Sequence, residues 1–346
     1  MEKKGINLDP FPEIRAAYLG REKGLSFRAG DRKDVLRWQR ETKKKLAGVL
    51  GDFPQTASPL RPEVLEKRDF PGYTRETVTF NSRGKMRVFA YFLLPRKRRL
   101  PLPAVICLPG HGRGVDEIVG ISEDGKMRGR PGGYMQDFAL QAVRKGFAVL
   151  AVEPIGFGHR RENAAVRKGP NASSCNPFSG ALLLLGGTIA GWRVYDVVRS
   201  VDYLETRKEV IRDRIGLMGI SGGGTVSIYA AALEERIKAT VLSGSFCTFY
   251  RSIFSVVHCI DNFVPDVLSC GEMYDVAGLI APRALFIEAG DKDPIFPVEG
   301  VREAFGKVGE VYRALGAESR LDWKILRGGH RIYGKNAFEF LSRILG

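Results

Sequence analysis

The stretch "IGLMGISGGGT", Ile215–Thr225, sets Ser221 between Gly219 and Gly223, directly after an apolar run and directly before the helix-like segment "VSIYAAAL". A G-x-S-x-G pattern where a strand meets a helix is a nucleophile elbow. The glycines have a physical job there. A residue on so tight a turn leaves the ordinary backbone conformations, and side chains two positions before and after it would collide with the neighbouring strand or helix. The turn also points the Ser221 hydroxyl at a helix N-terminus, where free amides and the helix dipole favour developing negative charge. Other glycine-loop chemistries fit worse. A dinucleotide loop needs G-x-G-x-x-G, but after Gly222 and Gly224 the required position holds Ser227; a phosphate loop needs a lysine that is missing here.

A hydroxyl is a weak nucleophile until a base removes its proton, so a histidine and an orienting carboxylate must stand in later loops. Of four histidines, His330 in "ILRGGHRIYG" follows the last strand candidate, where Gly328 and Gly329 let the chain bend back toward the elbow. His111 reads as an anchor of its own loop, and His159 and His258 as surface or packing residues inside long connections. For the acid, "ALFIEAGDKDPIFP" offers Glu288 inside a strand, Asp291 at the start of the turn and Asp293 one step further, followed by proline. Asp293 best projects over the sheet edge, with Asp291 as the alternative. The order Ser221, Asp293, His330, each after a separate strand, is the chain order of α/β-hydrolases. An oxyanion needs two donors. The backbone N–H of Gly222 supplies one, and the glycine-rich "ICLPGHGRG" (106–114) predicts the other at the N–H of Arg113.

Outward from the elbow, short apolar runs alternate with helix-length segments. "AVICLPG" (104–110), "FAVLAVEP" (147–154), "IGLMGI" (215–220), "ATVLSGS" (239–245), "ALFIEAG" (284–290) and "LDWKILRGG" (321–329) read as strands. "YMQDFALQAVRKG", "GWRVYDVVRSVDYLETR" and "VEGVREAFGKVGEVYRAL" read as crossover helices. Before them, "TVTF", "NSRGK" and "MRVFAYFLLP" predict an antiparallel hairpin. The fold expected is therefore α/β: a mostly parallel sheet of about eight strands, helices on both faces. Asp31 to Leu50 predicts a helix capped by Asp31, with Val35, Trp38, Thr42, Leu46 and Val49 on its apolar face. The proline-rich "GDFPQTASPLRPEV" then separates an N-terminal helical extension, residues 1–70, from a catalytic domain over 71–346. Connections near 113–133, 157–187 and 246–279 exceed what a βα unit needs and predict pocket walls, with Cys175, Phe178, Phe246, Phe249, Phe254 and Phe263 as candidates for narrowing an acyl pocket or for core.

On "LPGHGRG", "GWRVYDVVRSVDYLETRKEVIRDRIGLMGISGGG", "APRALFIEAGDKDPIFP" and "GGHRIYG", residues 75 to 346 resemble an α/β-hydrolase of the dienelactone-hydrolase-like group, nearest its acetyl-xylan-esterase-like esterases. The resemblance implies the α/β-hydrolase fold, a serine esterase acting on short acyl esters, no cofactor and no metal. Dienelactone hydrolases use a cysteine nucleophile where this chain has Ser221, and cephalosporin-C-type acetyl xylan esterases have glutamine where Gly222 stands. A prolyl-oligopeptidase-like peptidase shares the elbow and triad but needs a propeller, which about seventy mostly helical residues do not make. A binding protein that keeps a hydrolase shell is the remaining class.

The bulk composition, 44% hydrophobic over 346 residues, is that of a globular chain able to bury a sizeable core. The net charge of +15 invites a nucleic-acid partner, but the basic residues are spread along the chain, with short runs only at Lys43–Lys45 and Arg96–Arg99, so a solvated basic surface is expected and no nucleic-acid partner. The start, "MEKKGINLDPFPEIRAAYLG", has no signal-peptide core, and "ALLLLGGTIAGW" (181–192) is too short for a bilayer, which predicts a cytoplasmic protein. Five cysteines, an odd number without C-x-x-C spacing, predict free thiols and speak against a disulfide framework or a zinc site.

Overall fold

Runs of β-branched and aromatic residues become strands that pair into one sheet, as their shape on a pleated surface favours. The computed structural model describes residues 8–51 and 53–346, so positions 1–7 and 52 of the expected N-terminal extension lie outside the described residues. Among the described residues the sheet has nine strands: β1 (Glu63–Phe70), β2 (Tyr73–Asn81), β3 (Arg87–Pro95), β4 (Leu102–Leu108), β5 (Ala148–Val152), β6 (Val210–Ile220), β7 (Ile237–Ser243), β8 (Ala284–Gly290) and β9 (Leu321–Leu326). Their spatial order is β1-β2-β3-β5-β4-β6-β7-β8-β9. Pairing is antiparallel from β1 to β5 and parallel from β5 to β9. The strand order reverses at β4, with β5 on one side and β6 on the other, and ligands of open α/β sheets bind in the crevice outside the carboxyl ends at such a switch point.

Both faces of the sheet are buried, so the central strands alternate between two cores rather than between core and water. On one face Ala104, Ile106, Ile215 and Leu217 meet Val194, Val197, Val201 and Leu204 of the helix Ile189–Thr206, spaced three or four apart. On the other, Val105, Cys107, Met218 and Ile220 meet Phe138 and Val143 of helix Phe138–Lys145 and Phe338 and Leu341 of helix Lys335–Leu345. Each such valine, leucine or phenylalanine contributes about 1.5–3 kcal/mol by leaving water.

Two expectations about the N-terminal region divide. The helix Arg32–Leu50 forms with Asp31 as its cap: Asp31 Oδ1 accepts from the amides of Lys33 (2.7 Å) and Asp34 (3.0 Å), and Asp34 answers by accepting from the Asp31 amide. It buries Val35, Leu46 and Leu50 in the core, and Gln39 Nε2 donates to the carbonyls of Gly278 and Ala281. The boundary at residue 70 needs correction. It falls between β1 and β2, strands of one hairpin, so the extension supplies the outermost strand of the sheet rather than preceding it. Almost every residue of β1 is exposed, and its Glu63, Glu66, Lys67, Arg68 and Asp69 keep an edge strand from pairing with another molecule.

Candidate active site

Ser221 lies at the end of β6, one residue before the helix Gly222–Leu233, with φ 54° and ψ −127°, a left-handed conformation that a non-glycine residue rarely adopts. The neighbouring glycines make that turn possible. A Cβ on Gly219 would lie 2.4 Å from Ser227 Oγ and 2.5 Å from Gly223 O; one on Gly223 would lie 2.3 Å from Leu108 O and 2.5 Å from Pro109 O. The third glycine has a separate reason, since a Cβ on Gly224 would sit 2.1 Å from Ser245 Oγ in the loop after β7. Gly223→Ala therefore forces backbone of the β4 loop away from the elbow, and thermal unfolding should show a loss of about 1–3 kcal/mol.

The candidate acid and the candidate base meet. His330 Nδ1 lies 2.8 Å from Asp293 Oδ2, while Asp293 Oδ1 accepts from the amides of Ile295 (2.8 Å) and Phe296 (3.1 Å), which fixes the carboxylate. The imidazole is held between Tyr134 and Phe296, ring centroids 5.4 and 5.9 Å away. Asp291, the alternative acid, serves the backbone instead. Its Oδ1 accepts from the Gly328 amide at 2.8 Å and builds the turn before His330. Gly244 joins the His330–Asp293 pair to the elbow. The Ser221 amide donates to Ser243 O at 3.1 Å, and a Cβ on the next residue, Gly244, would lie 3.0 Å from His330 Nδ1 and 3.3 Å from Asp293 Oδ2. Among the described residues no hydrogen bond links Ser221 Oγ to His330; such bonds often tighten only when substrate binds.

Glu288 went unassigned in the sequence, yet it ties down the loop that carries His330. Buried in β8, it accepts from Ser243 Oγ (3.0 Å) and from the amides of Tyr333 (3.0 Å) and Gly334 (2.9 Å). Burial raises its carboxyl above the usual range, and the three donors work against that rise. Glu288→Ala leaves two amides beside His330 without acceptors, at about 1–3 kcal/mol each. Hydrogen exchange should then quicken at Tyr333 and Gly334 before it does elsewhere.

The loop after β4 corrects one expectation. The Arg113 amide is engaged, donating to Glu117 Oε2 at 2.9 Å, and the Arg113 side chain is buried, with Nη2 donating to Ile121 O at 2.7 Å. It is not free to meet an oxyanion, nor is its guanidinium open to an acidic substrate. The elbow's neighbours in this loop are Gly110, where a Cβ would lie 2.9 Å from Ser221 Cβ, and His111, whose ring approaches a Cβ on Gly222 to 3.1 Å. Tyr134 donates through its hydroxyl to His111 O at 2.6 Å and so holds that stretch. Glu153, fully buried after β5, accepts from the amides of Val115 (3.2 Å) and His159 (3.1 Å) beneath the loop. Burial pushes its carboxyl up to about 7. Since the folded value exceeds the unfolded one, the stability this group contributes is full below about pH 4.5 and lost as pH rises through about 7. The thermal midpoint should fall more steeply over that window in the native protein than in Glu153→Gln.

His111, expected to anchor its own loop, faces an unforeseen group. Its Nε2 stands 3.2 Å from Asp261 Oδ2, an atom that also accepts from Arg193 Nη1 at 2.5 Å and lies 3.2 Å from Cys175 Sγ. Burial raises the Asp261 pKa, but Arg193 and His111 outweigh it and hold the carboxyl well below the usual range. His159 pairs with Asp116 and stacks on Phe89, and His258 contacts Ser252 Oγ, both packing roles. Of the candidate pocket aromatics, Phe246 is core, Phe178 packs against the small cluster of Ile155, Leu182 and Ile189, and Phe249, Phe254 and Phe263 line an apolar cleft of about 210 Å³ against Tyr18. Among the described residues no single helix is long and apolar enough to cross a membrane.

Known proteins resemble this chain in sequence or in structure. "Putative hydrolase YtaP" of Bacillus subtilis (strain 168) is 30% identical over 286 residues, 80% of this chain and 89% of that protein. Among solved structures, a "putative acetyl xylan esterase" from Bacteroides fragilis superimposes with a TM-score of 0.77 at 19% identity, covering 99% of this chain and 91% of that one. A glucuronoyl esterase from Solibacter usitatus gives 0.71 at 16% identity over 94% and 98%. At such identities the structures establish the α/β-hydrolase fold. The sequence pattern of the Abhydrolase family matches residues 24–307, helix Arg32–Leu50 and β1 included, and the chain belongs to that family.

Proposed function

We propose that this chain is a carboxylic ester hydrolase, a serine esterase in which Ser221 is the nucleophile, His330 the general base and Asp293 its orienting partner. The observation that carries the reading is the His330–Asp293 contact of 2.8 Å, held against Gly244 beside a strained Ser221. His330 Nε2 takes the hydroxyl proton as Ser221 Oγ adds to the ester carbonyl, and Asp293 stabilises the imidazolium through Nδ1. The tetrahedral intermediate expels the alcohol, which leaves with that proton, and the acyl group stays on Ser221. Water, deprotonated by His330, then adds to the acyl carbonyl; the free acid departs and Ser221 regains its proton.

For the oxyanion, the Gly222 amide remains the first donor, since no hydrogen bond engages it among the described residues. The His111 amide replaces that of Arg113 as the second donor, because no hydrogen bond engages it among the described residues. Loss of such a donor costs about 10²–10³ in turnover.

The substrates we propose are short acyl esters, carbohydrate esters among them. Two things support this: Tyr134 and His111 crowd the space around Ser221 and Gly222, and the structural neighbours are named as carbohydrate esterases. No cofactor takes part in these steps. We place the reaction in a reducing compartment such as the cytoplasm, on the strength of five free thiols. Initial rates on p-nitrophenyl esters of increasing acyl length, beside a dipeptidyl amide, test the reading. Rates should fall as the acyl chain grows, and a preference for the amide would make the chain a peptidase instead.

A further inference from the structure

Among the described residues one group has the donor set of a metal centre: His111, Cys175, Cys259 and Asp261, with one ligand atom from each lying within 4.8 Å of the other three. They come from three loops. His111 stands in the loop after β4, Cys175 opens the helix Cys175–Leu184, and Cys259 and Asp261 flank the start of the turn Ile260–Asn262. Cys175 and Asp261 are buried, and the two sulfurs lie within 4.8 Å of each other. His111 Nε2 is buried without an aligned hydrogen bond, although Asp261 Oδ2 is only 3.2 Å away. The catalytic scheme uses none of these side chains.

We propose that these four residues bind one Zn²⁺, in a tetrahedral site built of two thiolates, an imidazole and a carboxylate. The donor chemistry selects the ion: two sulfurs and a nitrogen suit a borderline-soft cation, whereas Ca²⁺ and Mg²⁺ require shells of oxygen. Charge balances. Two thiolates and one carboxylate carry −3, the enclosed Arg193 guanidinium +1, and the resulting −2 matches one divalent ion. Arg193, itself buried, donates to Asp261 Oδ2 at 2.5 Å and to Cys175 Sγ at 3.4 Å, which orients two ligands and tempers the sulfur charge. Binding forms two Zn–S bonds, one Zn–N and one Zn–O, and releases one proton from each thiol, so affinity falls with falling pH. The ion joins the loop that bears His111, beside Gly222, to the insertions 157–187 and 246–279, and so stiffens the rim of the crevice. The site does not depend on the esterase reading.

Titration of the reduced, metal-free protein with Co²⁺, a coloured stand-in for Zn²⁺, tests this directly. A thiolate-to-cobalt charge-transfer band should rise, saturate at one equivalent and vanish on adding Zn²⁺. Cys175 is in the core, so Cys259→Ser and His111→Ala are the informative variants. Each should weaken Co²⁺ binding by at least about 10-fold while circular dichroism stays native. Zn²⁺ should also protect half-buried Cys259 of the unaltered protein from alkylation and raise its thermal midpoint. A folded, reduced protein that shows no saturable band would overturn the proposal. So would a band unchanged in both variants, or a Cys175–Cys259 disulfide that persists under reducing conditions.

Discussion

Ser221→Ala lowers kcat on an activated ester by about 10⁶-fold, because the bond-forming atom is gone and the rest of the machinery acts only through it. The loss must come from chemistry and not from unfolding. Alanine keeps the Cβ and the same demand for φ 54°, so its thermal midpoint should stay near that of the native protein. Ser221→Gly separates the two effects. It is equally inactive, yet it relieves the left-handed strain and should be more stable by about 1 kcal/mol. Paired measurements of kcat and thermal unfolding on both variants check this: inactivity with unchanged or raised stability marks a residue whose strain serves the reaction.

Asp293→Asn lowers kcat by about 10⁴-fold with little change in KM. The carboxylate accepts from two amides through Oδ1 and contacts His330 Nδ1 through Oδ2. An asparagine that keeps its oxygen toward the amides of Ile295 and Phe296 turns its NH₂ toward His330. The imidazole then accepts at Nδ1 and carries its proton on Nε2, the nitrogen that must be free to take the Ser221 proton. Asp291→Asn is the control, since Asp291 serves only the Gly328 turn and its neutral amide oxygen still accepts there. It should cost stability and leave kcat within a few-fold. Steady-state kinetics on both variants distinguishes the two acids, which spacing alone left open.

Ser221, Asp293 and His330, the residues proposed as the triad, can be singled out in the sequence because each stands after its own strand among glycines or beside a proline, and those punctuating residues place a side chain almost independently of its surroundings. The parallel sheet was legible from its apolar runs. β1 was not. "EVLEKRDF" shows no alternation because both its faces meet water, so nothing in its pattern distinguishes it from a charged loop. The loop after β4 was legible only in outline. Gly112 at φ 150° and Gly114 at φ 72° curl the chain so that the Arg113 amide meets Glu117, and the direction of an amide is not written in residue identity. The His111, Cys175, Cys259 and Asp261 cluster escaped for a related reason. Its members sit in three loops far apart in the chain, so no metal-ligand spacing exists to be read, and only the packing of those loops brings them together.

A fluorophosphonate probe reports the central claim most directly, because it is captured only by a serine whose proton has a base to go to. Peptide mass spectrometry after labelling should place one adduct per chain on Ser221, lost in His330→Ala with the fold intact. An active protein that takes no adduct at Ser221, or takes it on a different serine, would contradict the account.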